Sequence, residues 1–211
     1  MKTGVNSVAA LILAAGASVR MGRTKPLLDL GGRPLLERVM QKVGRFSFRE
    51  VVAVIGCDAE SIRRHIAFSD KRFRWVVNQS YKQGQSLSLQ RGMEAVKSHH
   101  VMVFLGDQPF IMEETIHTVY DEGVRQGEAR QRPFVVRPHF RSVPGHPVFF
   151  GHVQQMDFTG LGGDQGAKRL IDDMDDVYAL PVDDCMILFD IDTPRDYERA
   201  NRMWRSENRL P

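Results

Sequence analysis

Leu13-Ala14-Ala15-Gly16-Ala17-Ser18-Val19-Arg20-Met21-Gly22, followed by Lys25-Pro26, is the stretch on which the reading of this chain turns. It continues an apolar run, Val8 to Leu13, that has the length of a buried strand. After that run come small residues, then one cation at Arg20 and a second at Lys25. A strand feeding such a loop brings backbone N–H groups close to phosphate oxygens, because no large side chain stands between them. Arg20 and Lys25 supply the positive charge that a triphosphate needs. Leu13, Ala14, Ala15 and Gly16 are therefore expected along a bound nucleotide, with Arg20 and Lys25 on its phosphates. The spacing is neither that of a Walker A loop nor that of the dinucleotide Gly-x-Gly-x-x-Gly fingerprint. The plain alternative is a glycine-bearing turn with solvated charges.

Outward from this loop the pattern alternates. Short β-branched runs at Val8–Leu13, Val51–Ile55, Arg74–Val77, Val101–Leu105 and Phe134–Arg137 predict strands. Between them Pro34–Val43, Ala59–Ile66, Ser86–Val96 and Glu113–Val124 have helical apolar spacing. Such alternation predicts an α/β fold, a mostly parallel central sheet with helices on both faces. Right-handed crossovers then bring the strand C-terminal ends to one edge, where ligands bind. In the second half, Val177–Val182 and Met186–Ile191 read as strands, and Asp164–Met174 and Arg195–Trp204 as helices. One domain is expected over residues 1–205, with a short polar tail at 206–211.

Composition narrows the class. A hydrophobic share of 42% and a charged share of 26% are those of an ordinary soluble globule, and no apolar run is long enough to span a bilayer. No membrane partner is expected. The absence of a signal-type start makes the cytoplasm the expected location. Cys57 and Cys185 lack metal or redox spacing and read as small core residues. Net charge is +3, with basic residues bunched at 63–74 and 125–141. Neither bunch interleaves aromatics in the manner of a nucleic-acid face. Solvated helix faces and a few contacts to small anions account for them, and no nucleic-acid partner is expected.

Val101–Leu105 runs into Gly106-Asp107-Gln108-Pro109, which sets the Asp107 carboxylate at the ligand-binding edge of the sheet. The competing role for Asp107 is to cap the helix that begins near Met112. Much later, Asp190 and Asp192 stand two apart, so extended backbone turns both carboxylates the same way. Thr193 and Pro194 read as N-cap and first helical residue. A mid-chain aspartate and one near the C-terminus can converge on a hard cation. Magnesium fits, since it needs few carboxylates and takes its other oxygens from water and phosphate. Asp107 and Asp192 are the expected ligands, with Asp190 able to replace or join Asp192. Between these elements, Asn78, Gln83, Ser86 and Ser88 offer donors and acceptors suited to a base edge and ribose, and Gly84 permits close backbone approach. Ser86 equally suits a helix N-cap.

Taken in order, Leu13 to Leu28, Gly32-Arg33-Pro34-Leu35-Leu36, Gly106-Asp107-Gln108-Pro109, Gly145-His146-Pro147-Val148, Gly163-Asp164-Gln165-Gly166-Ala167 and Asp190-Ile191-Asp192-Thr193-Pro194 resemble the MobA-like nucleotidyltransferases. Within that family the chain is most similar to the molybdenum cofactor cytidylyltransferase branch, and the similarity runs from about residue 8 to residue 199. The resemblance implies a Rossmann-like nucleotide-diphosphosugar-transferase fold. It implies a reaction joining CTP to the phosphate of molybdenum-loaded molybdopterin, with a recipient molybdoenzyme as a further partner. It implies that Arg20 and Lys25 hold the triphosphate, that Asp107 and Asp192 hold Mg2+, and that Asn78 to Ser88 meet the nucleotide. Arg20, Lys25 and Asp107 are then the catalytic set. His146 and Asp164 fall where the branch places acceptor-side residues; His146 equally reads as a packed histidine and Asp164 as a helix cap. Guanylyl-transferring relatives usually carry Gly at the position of Ala15, and the added methyl favours a pyrimidine. GTP in place of CTP, a sugar or polyol phosphate acceptor, and a non-catalytic cofactor carrier are the alternatives.

Overall fold

Seven consecutive residues of the first strand, β1 (Val8–Ala14), are buried apart from the last. A strand with no exposed face must lie in the middle of a sheet covered on both sides. The computed structural model describes residues 7–163 and 166–207 and places it there. β1 pairs in parallel with β2 (Glu50–Ile55) on one side and β4 (His100–Leu105) on the other, and β2 pairs in parallel with β3 (Phe73–Val77). Ala10 sits between Val51 and Met102 across this register.

Alternate residues of β1 divide between two cores. Val8, Ala10 and Ile12 pack against α1 (Leu35–Gly44), α2 (Ala59–His65) and α4 (Glu113–Ala129) through Leu36, Met40, Ile62 and Ile116. Ala9, Leu11 and Leu13 pack against α3 (Gln85–Ala95) and α5 (Lys168–Asp172) through Leu89, Met93 and Ile171. Full burial of Leu11 or Ile12 is worth about 1.5–3 kcal/mol each, so the period-two pattern fixes the register. Gly92 lets α3 close on the sheet, since a Cβ there would stand 2.5 Å from Leu11 Cδ1.

Past β4 the sheet continues with β7 (Val148–Gly151), then β5 (Phe134–Phe140), then β8 (Val177–Pro181); β6 (Val143–Pro144) hairpins onto β5. β7 is antiparallel to both neighbours. The seven residues 141–147 that link it to β5 are too few for a parallel crossover, which needs a dozen or more. This strand is absent from the expectations above. A further correction concerns Met186–Ile191, expected as a strand. Cys185–Leu188 instead forms a 3-10 turn whose start is fixed by the Asp184 carboxylate, which accepts from Met186 N at 2.9 Å. The helix expected over 164–174 begins at Lys168, and 164–165 lie outside the described residues. Helix α6 (Pro194–Glu207) runs through residues 206 and 207, expected as tail, and 208–211 are also outside the described residues.

The basic bunches divide. Arg72 and Arg74 are half-buried and hydrogen-bonded rather than solvated, Arg72 to Asp70 and three backbone carbonyls and Arg74 to Glu50 and Ala95 O. Neither cysteine is a core residue: Cys57 is half-buried and Cys185 exposed. Among the described residues no helix is long and apolar enough to cross a membrane.

Candidate active site

β1 and β4 are parallel neighbours, so their C-terminal ends open on the same edge. At that edge lies a cavity of about 470 Å³, within the usual range for small-molecule clefts. One wall is the loop that leaves β1. Ser18 takes a left-handed conformation (φ 54°), and its hydroxyl accepts from the Lys25 backbone N–H at 3.1 Å, closing residues 18–25 into a cradle. Leu13, Ala14, Ala15 and Gly16 line the cavity together with Arg20 and Lys25. Opposite, Gly106 allows β4 to run close beside β1; a Cβ there would meet Ala14 Cβ at 2.8 Å. This delivers Asp107 to the cavity.

Lys25 joins the two halves of the site. Its Nζ donates to Asp107 Oδ2 at 2.5 Å and to Asp192 Oδ1 at 2.8 Å, with about a sixth of the Lys25 and Asp107 side chains exposed. The two carboxylate oxygens can therefore be no farther apart than the sum of those distances. Burial works against the Lys25 charge, but Asp107 and Asp192 more than offset it, and the ammonium pKa lies above the ordinary lysine value. Burial likewise works against an ionised Asp192, and Lys25 and Arg20 outweigh it, holding the carboxyl below its usual range. Arg20 reaches Asp192 Oδ2 at 2.9 Å from the exposed rim.

Asp190 also lines the cavity, so both aspartates of the pair face it. Ile191 between them is fully buried, and its N–H donates to Asp107 O, which ties the two segments together. Asp190 accepts from Gln108 Nε2 at 2.7 Å. Burial, with the nearby Asp107 charge, pushes its carboxyl up to about 6. Asp107 Oδ1 is buried and has no hydrogen-bond partner among the described residues. No group of three or more His, Cys, Asp or Glu side chains forms an all-protein metal cage among those residues.

The helix that follows Asp107 is capped by another residue. Asp184, 1% exposed, accepts from Met112 N and Thr115 Oγ1 at the start of α4. Asp107 is thus left free to face the cavity, and Asp184 is a structural carboxylate absent from the expectations above. At the C-terminal segment, Thr193 and Asp196 form a reciprocal cap: Thr193 N and Oγ1 donate to Asp196, and Asp196 N donates back to Thr193 Oγ1.

The segment 78–88 meets the cavity with fewer residues than expected. Gly84 and Ser88 line it, as do Tyr81, Lys82 and Gln85, which the sequence reading did not single out. Asn78, Gln83 and Ser86 do not. Asn78 is buried, donating to Ser88 Oγ and accepting from Ser80 N, so it braces the loop. Ser86 is the second residue of α3, and its buried hydroxyl donates to the carbonyls of Gly166 and Gly162. Gln83, on the same 3-10 turn as Tyr81 and Lys82, is exposed and does not line the cavity. Their polarity is visible in the sequence; their direction is not.

His146 lines a second, smaller cavity with Arg137 and Lys168. Burial, and then the Arg137 charge, push its imidazole down to about 4, so it is neutral at physiological pH. Asp164 lies outside the described residues.

Parallel strands ending in a small-residue cradle, with clustered carboxylates and cations facing one cavity, define a Rossmann-like nucleotidyltransferase. The chain belongs to the MobA-like NTP transferase domain family, whose model matches residues 10–177. It is 23% identical over 206 residues to the molybdenum cofactor cytidylyltransferase of Escherichia coli K12, covering 95% of this chain and 98% of that one. It is 25% identical over 204 residues to the probable molybdenum cofactor guanylyltransferase of Natranaerobius thermophilus, covering 93% and 96%. Among solved structures, Rv0371c of Mycobacterium tuberculosis H37Rv in complex with manganese matches with a TM-score of 0.75 at 23% identity, over 93% of this chain and 98% of that one.

Proposed function

We propose that this nucleotidyltransferase transfers CMP from CTP to the phosphate monoester of molybdenum-loaded molybdopterin, giving molybdopterin cytosine dinucleotide and pyrophosphate. The observation that carries the reading is the Lys25 ammonium held between Asp107 and Asp192 on a cavity walled by the small-residue loop. The cytidylyl- and guanylyl-transferring relatives support the acceptor class. Ala15, which lines the cavity, supports the pyrimidine, since a side chain where Gly could stand leaves less room for a purine. The reaction draws on the nucleoside triphosphates of the cytoplasm, its proposed location, and a recipient molybdoenzyme is the proposed consumer of the product.

In this reading an acceptor phosphate oxygen forms a bond to the α-phosphorus, and the bond from that phosphorus to the bridging oxygen breaks. Its electron pair leaves with pyrophosphate. The protein aligns the two phosphates and neutralises charge as it moves to the leaving group. Lys25 and Arg20 supply that charge from the cradle, while Gly16 and Ala15 admit the phosphates to the backbone N–H groups. Gly84 and Ser88, with Tyr81 and Gln85, face the remainder of the nucleotide. His146 and Asp164 are proposed on the acceptor side.

Magnesium is the proposed cofactor. Asp107 and Asp192 would hold it, with Asp190 adjoining; the buried, unpartnered Asp107 Oδ1 supports this, and two carboxylates suffice for an ion that keeps water and phosphate ligands. When bound, it supplies charge neutralisation at the phosphate oxygens. The test is pyrophosphate release from CTP with and without molybdopterin. Acceptor-dependent release supports the proposal, and release that ignores the acceptor, or none, contradicts it.

A further inference from the structure

The second cavity has a volume of about 90 Å³ and shares Leu13 and Gln85 with the nucleotide cavity, so the two meet across one wall. It is far smaller than the nucleotide cavity and suits a small head group. Arg137, His146, Phe150 and Lys168 complete the part of its lining that matters here.

Arg137 differs from the half-buried Arg72 and Arg74. Arg72 is paired with Asp70 and Arg74 with Glu50. Arg137 enters from β5, is half-buried, and among the described residues makes one hydrogen bond, from Nε to Gly145 O at 3.3 Å. The guanidinium has five N–H donors, so four of them have no acceptor among the described residues. Asp172 acts on it only through space, and no carboxylate lies within ion-pair distance of Arg137 or Lys168 among the described residues. Burial pulls the Arg137 pKa below the ordinary arginine value. A partly desolvated cation without a counterion destabilises the fold by itself, and an arriving anion reverses that cost. The neutral His146 beside it adds a hydrogen-bonding group and no charge.

We propose that this cavity is an anion subsite that takes the phosphate monoester head of the acceptor, gripped by the Arg137 fork with Lys168 at its mouth. The assignment to the acceptor rests on the function proposed above; the anion subsite itself rests on the cavity. The planar fork suits two phosphate oxygens at once. The shared wall at Leu13 and Gln85 sets that head against the nucleotide cavity, and the body of the acceptor projects outward. A phosphate monoester is largely dianionic at neutral pH, its second pKa being about 6, so the attacking oxygen needs no base to remove a proton. The new bond forms from that oxygen to the α-phosphorus, and the pair from the broken bond departs with pyrophosphate.

The test is a titration of inorganic phosphate into the full chain, followed through backbone amide NMR shifts. Saturable shifts are expected at Gly145, Ala167 and Lys168. Arg137→Gln should weaken them at least about tenfold, Arg137→Lys less, and Lys168→Gln about threefold. Lys25→Ala, which alters only the nucleotide cavity, should leave their midpoint within about twofold. Acetate at equal concentration should produce no saturable shift at these residues. In turnover, Arg137→Lys should raise KM for molybdopterin at least about fivefold and leave KM for CTP within about twofold. Phosphate shifts confined to residues 15–20, shifts equally strong in Arg137→Gln, or equal saturation by acetate would overturn the subsite. Because the titration needs no CTP, it decides the subsite even if no pyrophosphate is released from CTP, an outcome that counts against the proposed function alone.

Discussion

The Lys25 ammonium lies 2.5 Å from Asp107 Oδ2, and the same nitrogen lies 2.8 Å from Asp192 Oδ1. A loop side chain from the first strand thus binds together carboxylates delivered by the fourth strand and by the approach to the last helix. In the proposed function, the ammonium occupies the place between them that magnesium would take. In the proposed cycle, magnesium and the triphosphate share the charges that these three groups now satisfy among themselves.

Lys25→Ala removes the one cation that, among the described residues, touches both carboxylates. Pyrophosphate release is expected to fall at least about a hundredfold, and nucleotide affinity by less than about tenfold, because the role is larger in the transition state. The metal-free protein should lose about 1–3 kcal/mol, between an exposed and a buried pair. Magnesium should then raise Tm more in the variant than in the wild type. Thermal melts with and without magnesium, beside steady-state kinetics, check this; equal metal effects on Tm would count against Lys25 as occupant of the cation seat.

Asp107→Asn keeps the shape of the side chain and removes its charge. At least about a hundredfold of turnover is expected to be lost, while metal-free CTP binding stays within about threefold of wild type. Calorimetry without magnesium and the pyrophosphate assay with it separate the two effects. Retained turnover would remove Asp107 from the proposed catalytic set.

Ala15→Gly tests base choice. Removal of the methyl group from the cavity wall should raise the GTP-to-CTP ratio of kcat/KM by about tenfold, roughly 1.4 kcal/mol. Competing turnover of the two nucleotides measures it directly. An unchanged ratio would move base selection elsewhere, with Tyr81 and Gln85 the next residues to vary.

Glu50 gives the fold a sign for its pH dependence. Burial works to raise its pKa, but hydrogen bonds from Ser98, Arg74 and the Lys97 N–H outweigh it and hold the carboxyl below its usual range. An acid with a depressed folded pKa contributes stability above its unfolded value, near 4.5, and that contribution is lost as pH falls through the folded value. Glu50→Gln should therefore cost about 1–3 kcal/mol at pH 7 and progressively less in acid. Urea unfolding at pH 7 and pH 3.5 checks the difference; an equal cost at both would contradict the charged assignment.

These assignments were legible in the sequence to an uneven degree. The four parallel strands and Asp107 could be read because an apolar run ending in small or acidic residues is a local signal. β7 could not: Val148–Gly151 is four residues long, and its antiparallel direction follows from a short connection, which only the fold reveals. Met186–Ile191 has strand-like apolar content, and the deciding residue is Asp184, whose carboxylate organises both the 3-10 turn and the start of α4. Asn78, Gln83 and Ser86 share polarity with Ser88, but only Ser88 faces the cavity; direction depends on helix phase and on the Gly162 and Gly166 carbonyls that bind Ser86. Tyr81 and Gln85 lie inside the segment already read as nucleotide-facing, and the start of α3 at Gln85 was the signal available for the latter. Arg137 was hidden in a basic bunch, since nothing local marks it as lacking a carboxylate partner among the described residues.

In the proposed function, this site joins a cytidine triphosphate to a molybdopterin phosphate. Its most direct measurement is pyrophosphate release with each of the four nucleoside triphosphates, with magnesium, in the presence and absence of molybdopterin. Release is expected to require both CTP and molybdopterin and to exceed that with GTP by about tenfold or more. Equal turnover of GTP and CTP, or no release when molybdopterin is supplied, would contradict it.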